Sequence, residues 1–255
     1  MTKPHHDALV VAQFGARAAA YVESAVHAQG EDLRDLAALV AGHPNARVLD
    51  LGCGGGHASF AVAPHVGSVV AYDLSAEMLA AVAAEAASRT LVNVSTQRGP
   101  AESLPFESAS FDFVITRFSA HHWYDVQAGL AEARRVLKPN GQAAFVDVVA
   151  PEPFALDTWL QTVELLRDSS HVRDYSVEQW TQFLNAAGFV TTGTKARRLR
   201  LEFATWIARM QTPALQTDTI RALQAGASAP VAAHFELEPD GSFVIDTVAI
   251  EARPV

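Results

Sequence analysis

The sequence is poor in cysteine and lacks long apolar runs. Its single cysteine, Cys53, cannot form an internal disulfide. The longest apolar stretches, such as the alanine-rich segment 80–87, are interrupted by Glu85 and are too short to span a bilayer. The opening residues MTKPHHDALV show no basic segment followed by an apolar run, the pattern typical of a signal peptide. We therefore expect a cytoplasmic protein without a membrane span.

Positive charge is also scarce. Lysine and arginine number 19 against 28 aspartate and glutamate residues, which gives a formal net charge of -9. Duplex nucleic acid would have to bind a local basic patch against this overall field, so we expect no nucleic-acid partner. With 49% hydrophobic and 18% charged residues, the composition excludes disordered, collagen-like and coiled-coil chains. The 255 residues allow one large domain or two small ones.

Short apolar runs alternate with helical segments through the middle of the chain. Helical spacing over residues 7–41, with a break near Gly30, predicts two helices before the first strand. Strand alternating with helix is typical of a parallel sheet covered on both faces, so the predicted fold class is a doubly wound α/β sheet. Strands are predicted at 47–51, 68–73, 93–97, 111–116 and 142–149, and helical segments at 58–66, 76–88, near 101–104 and at 126–137.

The alternation loosens after Pro151. Helices are predicted at 157–167 and 177–187, a sixth strand at 188–195, a helical insertion at 204–225 and a last strand at 243–252. No internal repeat or clear linker is visible. We therefore expect one domain over residues 1–255, with an N-terminal helical cap at 1–45, a ligand-binding core at 46–150, and substrate-side helices and final strands at 151–255.

The most informative stretch is VLDLGCGGGH at 48–57, a buried strand that runs into a glycine-rich turn. Glycines suit such a turn because the backbone takes dihedrals closed to other residues and a ligand can touch the chain without meeting a Cβ atom. The dinucleotide fingerprint G-x-G-x-x-G fails, because its third glycine is replaced by His57. Asp50 places a carboxylate at the end of the strand, which suits a cationic ligand group and repels a phosphate.

The second strand also ends on a carboxylate. Asp73 follows Gly52 by about 20 residues and lies beside the glycine turn in a doubly wound sheet, where an acid accepts hydrogen bonds from ribose hydroxyls. Together with Asp50, it predicts a ligand that contains adenosine and carries positive charge. The alternative is that both aspartates only cap the helices that follow them.

These features resemble those of class I S-adenosylmethionine (SAM)-dependent methyltransferases. The ordered motifs are VLDLGCGGG, VVAYDLSAEML, AESLPF, FDFVITRFSAHHW and RVLKPNG, over about 48–148. The sequence is similar to type 11 methyltransferases and to ubiquinone and menaquinone C-methyltransferases, and its flanks QFGARAAAYVESAVHAQG and RDSSHVRDYS resemble YafE-like bacterial proteins. The resemblance implies a Rossmann-like, mostly parallel seven-stranded sheet and methyl transfer from SAM to a small organic acceptor. A noncatalytic SAM-binding sensor or subunit and an NAD-dependent enzyme of similar fold stay open as alternatives.

The resemblance also assigns cofactor contacts. It implies that the backbone of Gly52 and Gly54 meets the amino-acid part of SAM. Asp50 would then contact the ammonium group and Asp73 the ribose hydroxyls. Further contacts are implied around the adenine, beside the methionine portion and in the N-terminal cap: Leu74, Met78, Ala101, Glu102, Arg117, Phe118, Phe14 and Tyr21. Relatives often carry a small or polar residue in place of Arg117, which makes it an alternative ligand for the carboxylate of SAM or of an acidic substrate.

Histidines after the fourth strand are the catalytic candidates. Methyl transfer is an in-line displacement, so holding the acceptor about 3 Å from the methyl group supplies much of the rate. A phenol, enol or carbon acid also gains from a general base, a task that suits histidine. We therefore predict catalytic roles for His121 and His122, with His122 favoured, and for Asp147 at the end of the fifth strand. Local packing for the histidines and helix capping for Asp147 are the alternatives.

A polar break between two predicted helices contains His171, Arg173 and Tyr175. It suits a substrate lid, although a solvated loop is an equally good interpretation. Cys53 fits the glycine turn as a small side chain. No histidine or cysteine pair has the spacing of metal ligands, so no metal site is expected.

Overall fold

Seven strands form one sheet in the computed structural model, which describes residues 5–15 and 30–255. The strands are β1 (Arg47–Leu51), β2 (Ser68–Asp73), β3 (Val94–Arg98), β4 (Phe111–Arg117), β5 (Leu137–Val148), β6 (Phe189–Leu201) and β7 (Phe243–Pro254). Their order is β3-β2-β1-β4-β5-β7-β6. Strand β7 runs antiparallel to both its neighbours, and the other pairs are parallel. The predicted seven-stranded, mostly parallel sheet is confirmed.

Ten α-helices lie within the described ranges. They are α1 (His6–Gly15), α2 (Glu31–Val40), α3 (His57–Val62), α4 (Ala76–Ser88), α5 (Val126–Val136), α6 (Phe154–Arg167), α7 (Val177–Ala186), α8 (Phe203–Met210), α9 (Ala214–Ala225) and α10 (Ala229–His234). Short 3-10 turns occupy Ala63–His65 and Ala120–His122. None of these helices is long and apolar enough to cross a membrane.

The central strand β1 shows why helices cover both faces of the sheet. Val48 packs in the apolar cluster that includes α2 and α3, whereas Leu49 and Leu51 pack in the cluster that includes α5 and α7. All three side chains are fully buried. Since successive side chains of a strand point to opposite faces, an unbroken apolar run is needed here.

Polar residues set the starts of several helices. The Ser75 hydroxyl accepts a backbone N–H at 3.2 Å where α4 begins, and the Asp125 carboxylate accepts one at 3.0 Å where α5 begins. At α7, Ser176 and Gln179 form a capping box. These side chains satisfy N–H groups that have no partner inside the helix.

The helical piece predicted near 101–104 is wrong, because this segment is a turn. The N–H of Leu104 donates to Glu132 at 2.7 Å, and Arg135 donates to the carbonyls of Leu104 and Phe106. Two side chains of α5 thus satisfy backbone groups that a helix would have paired internally.

A separate apolar cluster lies beyond the carboxyl ends of the parallel strands. The predicted insertion at 204–225 consists of α8 and α9, and α10 adds a third helix after it. Trp206, Phe235 and Phe243 pack there with α6 and with Val148 at the end of β5. The insertion therefore builds a wall beside the edge of the sheet where ligands are expected.

Strand β1 lies between β2 and β4, so the chain order reverses at this point of the sheet. In open α/β sheets, ligands bind in the crevice outside the carboxyl ends of the strands at such a switch point. Asp50, Asp73 and Arg117 all lie at the carboxyl ends of these three strands.

Candidate active site

A first cavity opens at the switch point, between the strand ends and α1. It is lined by every described residue that was predicted to contact the cofactor: Phe14, Asp50, Gly52, Gly54, Asp73, Leu74, Met78, Ala101, Glu102, Arg117 and Phe118. The remaining predicted residue, Tyr21, lies outside the described residues. His6, Val10, Trp123 and Tyr124 also line this cavity.

The glycine turn forms the floor of the first cavity. Gly52 and Gly54 have φ angles of 72° and 48°, in the left-handed region that favours glycine. A Cβ added to Gly52 would lie 1.8 Å from the Ser119 hydroxyl oxygen, so this position needs glycine for packing. A Cβ added to Gly54 would meet no atom within 4 Å and would project into open space. Gly54 therefore leaves room for a ligand.

Asp73 is tied to the glycine turn. Its Oδ2 atom accepts the N–H of Gly54 at 2.9 Å, and its Oδ1 atom accepts the N–H of Ser75 at 2.9 Å. Burial raises the pKa of Asp73, although these backbone hydrogen bonds oppose the shift. Each oxygen of an ionised carboxylate can accept more than one hydrogen bond. Asp73 therefore keeps acceptor capacity for two hydroxyl groups of a ligand.

Asp50 has one oxygen occupied and one open. Oδ2 accepts the N–H and the hydroxyl of Ser59 at 2.9 Å and 2.6 Å, so this carboxylate does bind the first turn of α3, as the capping alternative predicts. Oδ1 is buried and has no hydrogen-bond partner among the described residues. Burial raises the pKa of Asp50 to about 6 against the hydrogen bonds from Ser59. An added cation at Oδ1 would satisfy that oxygen and favour the ionised form.

Arg117 and Phe118 form the far wall of the first cavity. The Arg117 guanidinium is paired with Asp32 of α2 and lies 4.8 Å from the ring centroid of Phe118. Part of its charge is therefore already compensated, and its use as a carboxylate ligand stays a prediction. Phe118 has a φ of 51°, which is costly for an aromatic residue and occurs at functional sites. No sequence pattern indicates this backbone conformation.

A second cavity adjoins the first. Four residues line both: Phe14, Arg117, Phe118 and His122. The second cavity has a volume of about 450 Å³, within the range of small-molecule sites. Its apolar wall is formed by residues of β5, β6, β7 and α8: Val146, Val148, Leu199, Leu201, Ile245, Val248 and Trp206. One polar end contains His121, His122, Glu164, Asp168 and Asp174. Other charged side chains also line the cavity: Glu31, Asp32, Arg117, Arg167, Arg197, Arg198 and Arg209.

His121 and Asp147 form a close pair at the polar end. Nδ1 of His121 donates to Oδ1 of Asp147 at 2.5 Å, and the Asp147 carboxylate is almost fully buried. Burial alone would lower the pKa of His121, but the charge and the hydrogen bond of Asp147 outweigh it and raise the pKa to about 9. His121 is therefore protonated at neutral pH.

His122 differs from its neighbour in charge. Its Nδ1 atom lies 3.2 Å from the carbonyl oxygen of Ser170, and its Nε2 atom lies 4.0 Å from Oδ2 of Asp168. Burial, followed by the positive charge of His121, lowers the pKa of His122 to about 3. Because His122 is neutral and its Nδ1 donates to a carbonyl, its remaining lone pair is on Nε2.

The polar break between α6 and α7 contributes only one of its three candidates to this cluster. The ring of His171 lies 5.9 Å from that of His121, and its Nε2 atom is 2.9 Å from Oε1 of Gln161. Burial lowers the pKa of His171 to about 2. Arg173 instead pairs with Asp157, and Tyr175 packs against Trp180 and Phe183. None of the three candidates lines either cavity, His171 included.

Sequence reasoning missed the partners of these histidines. Asp168 and Ser170 lie in the flank RDSSHVRDYS, which was given no role at these histidines, and Glu164 lies in α6. Only the fold brings them to His121 and His122. A weak signal existed in the run RDSSH at 167–171, which places several polar residues directly after α6.

Within residues 5–15 and 30–255, no group of three or more histidine, cysteine or carboxylate side chains is arranged to hold a metal ion. Cys53 is buried in the glycine turn, and burial raises the pKa of its thiol well above the usual range. It is therefore a protonated, inert thiol at neutral pH.

Residues 49–145 match the family described as "Methyltransferase domain". The chain is 47% identical over 198 residues to the uncharacterized protein YafE of Escherichia coli K12, a match that covers 78% of this chain and 96% of YafE. It is 36% identical to the uncharacterized methyltransferase YcgJ of Bacillus subtilis 168, over 79% of each chain. A demethylmenaquinone methyltransferase of Chlorobaculum parvum is 31% identical over 59% of this chain and 68% of its own length.

The likeness extends to three dimensions. The crystal structure of YcgJ superposes with a TM-score of 0.84 at 32% identity, covering 88% of this chain and 99% of YcgJ. The predicted resemblance to the YafE-like branch is thus confirmed, and the comparisons favour methyl transfer over the nicotinamide-dependent alternative. The chain belongs to the SAM-dependent methyltransferases.

Proposed function

We propose that the first cavity binds SAM and that the second cavity binds a small organic acceptor, with the methyl group passing between them. The observation that carries this proposal is the wall that the two cavities share, which consists of Phe14, Arg117, Phe118 and His122. A cofactor seated on the glycine turn and an acceptor seated beyond this wall would be neighbours. Such proximity is the main requirement of an in-line displacement.

The lining of the first cavity fits SAM group by group. Asp73 offers acceptor capacity for the two ribose hydroxyls, and the unpartnered Oδ1 of Asp50 suits the ammonium group. Leu74 and Met78 offer apolar surface for the adenine ring, and the open space at Gly54 admits close approach of the ligand. When bound, SAM supplies an electrophilic methyl group on a positively charged sulfur.

The residues of the chain contribute mainly by positioning and by excluding water. Phe14 of α1 packs its ring edge against His122, with the ring centroids 4.9 Å apart, so α1 covers the boundary between the cavities. The apolar walls keep the reacting atoms away from water. A nucleophile held there would lose the hydration that slows its attack.

Among the catalytic candidates, His121 is the one best placed to touch the acceptor. Its Nδ1 atom is held by Asp147, and its ring lines the second cavity. Asp147 acts as a positioning residue, since it sets the orientation and charge of that ring. His122 lies at the shared wall and is engaged with Ser170, so it shapes the passage between the cavities.

The segments that flank the core complete this arrangement. We assign the cap role to residues 1–45, of which α1 and α2 contribute Phe14 and Asp32. Residues 151–255 form the acceptor side through α6, α8 and the final strands, with Glu164, Trp206 and Ile245 in the second cavity.

Calorimetry with S-adenosylhomocysteine tests the proposal. The protein should bind one molecule per chain, and Asp73→Ala should weaken binding by roughly tenfold or more, because hydrogen bonds to a charged group are lost. Asp218→Ala, at an exposed site on α9, is the matched control and should bind normally. No binding by the folded protein, or equal affinity in the Asp73 variant, would contradict the proposal.

A further inference from the structure

One ring nitrogen at the polar end of the second cavity is open. His121 uses Nδ1 for its hydrogen bond to Asp147, whereas Nε2 makes no hydrogen bond to any described residue. Nε2 lacks a hydrogen-bond partner in the described part of the chain but is not fully buried, so part of its surface is exposed. Because His121 lines the second cavity, Nε2–H can donate to a molecule bound there.

The neighbouring polar atoms are occupied or shielded. His122 is bonded to a backbone carbonyl at 3.2 Å and His171 to a side-chain amide oxygen at 2.9 Å. The carboxylates of Asp147, Asp168 and Asp174 each have one oxygen without a partner among the described residues, but those oxygens are fully buried. Within this cluster of histidines and carboxylates, Nε2 of His121 is therefore the best-placed hydrogen-bonding atom for a ligand.

The charge of His121 follows from the groups that face it. They come from β5, from α6, from the segment between α6 and α7 and from the adjacent turn: Asp147, Glu164, Asp174, His171 and His122. Glu164 is paired with Arg167 at 3.5 Å, and burial raises the pKa of Asp174 well above its usual range. The two neighbouring histidines are neutral. Asp147 is thus the carboxylate that holds His121 as a cation.

The rest of the second cavity is mixed. Its charged lining beyond the histidine cluster consists of Glu31, Asp32, Arg117, Arg167, Arg197, Arg198 and Arg209. Four of these arginines are paired with carboxylates of the chain: Arg117 with Asp32, Arg167 with Glu164, Arg197 with Asp35 and Arg198 with Asp246. The remaining lining is largely apolar. Leu199, Leu201 and Ile245 come from the two antiparallel strands, and Trp206 closes the wall from α8. Such a surface gains free energy by covering an apolar group of the ligand. A fitting molecule therefore has one polar end and an apolar body.

We infer that the acceptor carries an acidic oxygen, as a carboxylate, phenolate or enolate, which Nε2–H of His121 binds, and that its apolar body lies along Leu199 and Trp206. This inference rests on the proposed function and deepens it by naming the acceptor class. An imidazolium that donates a hydrogen bond stabilises an oxyanion and cannot accept a proton. His121 therefore holds the acceptor in its ionised form, and the proton of a phenol or enol is released to solvent on binding.

The test uses pairs of probes that differ only in charge. Benzoate, naphthalene-2-carboxylate and decanoate are each compared with the corresponding amide, by calorimetry at pH 7 on protein saturated with S-adenosylhomocysteine. At least one carboxylate should bind roughly tenfold more tightly than its amide, since charge-assisted hydrogen bonds are the stronger kind. The preference should disappear in His121→Gln and persist in the exposed-site control Asp218→Ala.

A pH series supplies a second readout that needs no variant. The probe carboxylates stay ionised from pH 7 to pH 10, so a loss of preference centred near pH 9 would report the deprotonation of His121. Asp147→Asn should move this loss to lower pH, because the charge that holds the proton is removed. The pH series tests whether protonated His121 causes the carboxylate preference, even if His121→Gln fails to fold.

The outcomes separate the two proposals. If S-adenosylhomocysteine binds but no carboxylate is preferred over its amide, or if the preference survives in folded His121→Gln, the acceptor class is wrong while the proposed function stands. If S-adenosylhomocysteine does not bind, the proposed function fails and the acceptor class fails with it.

Discussion

Gly54 and Asp73 meet through a single hydrogen bond of 2.9 Å, which ties the glycine turn to the carboxylate expected to hold the ribose. The two residues lie near the ends of different strands, yet the sequence identified both as candidate cofactor contacts. Gly54 lies in the turn after β1 and Asp73 is the last residue of β2. The carboxyl ends of neighbouring parallel strands meet at one edge of the sheet.

Replacing Gly54 by alanine has two effects that can be measured separately: it fills space where the ligand is expected, and it strains the backbone. Gly54→Ala places a Cβ atom in the open space of the first cavity and also forces alanine into a φ of 48°. We expect the affinity for S-adenosylhomocysteine to fall by at least about tenfold, with a stability loss of about 1–2 kcal/mol from the left-handed conformation. Calorimetry and thermal unfolding measure the two effects.

Gly42→Ala is the matched control for this change. Gly42 is exposed, has a φ of 85° and, like Gly54, has no atom within 4 Å of an added Cβ. It should lose similar stability and bind S-adenosylhomocysteine normally. Equal affinities of the two variants would show that Gly54 does not border the ligand.

The pairing of His121 with Asp147 sets the charge of His121. Asp147→Asn removes the charge and the carboxylate acceptor that outweigh the effect of burial, so the pKa of His121 should fall from about 9 to below its usual value. Nitrogen-15 NMR of the imidazole ring measures this titration. An unchanged pKa in the variant would show that Asp147 does not hold the His121 proton.

Helix α1 borders both cavities, because Phe14 lines each of them. Its His6 ring lies 2.8 Å from the carbonyl oxygen of His122, and Phe14 packs against the His122 ring. Phe14→Ala should remove part of the cover and weaken S-adenosylhomocysteine binding by roughly tenfold, in line with the loss of a buried aromatic contact. Ala12→Ser, on the exposed face of the same helix, should bind normally.

Hydrogen exchange gives an independent check on α1. Bound S-adenosylhomocysteine should slow exchange of the α1 amides in the unaltered protein, because the helix would pack against the ligand. Unchanged exchange in α1, together with normal binding by Phe14→Ala, would remove this helix from the cofactor site.

The sequence predicted the strands better than the turns. The runs 47–51 and 68–73 and the helix 76–88 agree with the structure to the residue, because buried periodicity and the Ser75 cap act locally. The segment near 101–104 failed because its backbone is satisfied by Glu132 and Arg135 from a distant helix. Strand β6 extends to Leu201, beyond the predicted end at 195, since β7 pairs with it over its full length.

The same distinction applies to the candidate site. The cofactor side lies in contiguous motifs, so Asp50, Asp73 and the glycines could be named in advance. The surroundings of the histidines could not, because Ser170 approaches His122 from 48 residues away. Their meeting depends on how α6 packs against the sheet, which no local pattern encodes.

For the whole molecule, the shifted histidine predicts how stability depends on pH. The pKa of His121 is about 9 in the folded chain and about 6.5 when unfolded, so the folded state binds the extra proton between these values. Its contribution, about 3 kcal/mol, is fully present below pH 6.5 and is lost as the pH rises through 9. The free energy of unfolding should therefore fall across this range.

Urea unfolding at a series of pH values measures this slope. Asp147→Asn should flatten it, because His121 then no longer holds its proton more tightly in the folded state. Asp174, whose pKa is also raised by burial, contributes in the same direction as the pH rises through its folded pKa. A free energy of unfolding that rises between pH 6.5 and pH 9 would contradict the assigned charge state of His121.

A crystal structure with S-adenosylhomocysteine tests the two-cavity arrangement most directly. We predict the ribose hydroxyls on Asp73, the ammonium group at Oδ1 of Asp50, and the sulfur beside Phe118 and His122, facing the second cavity. A nucleoside bound elsewhere, or a sulfur that faces away from the second cavity, would contradict transfer of the methyl group between these two sites.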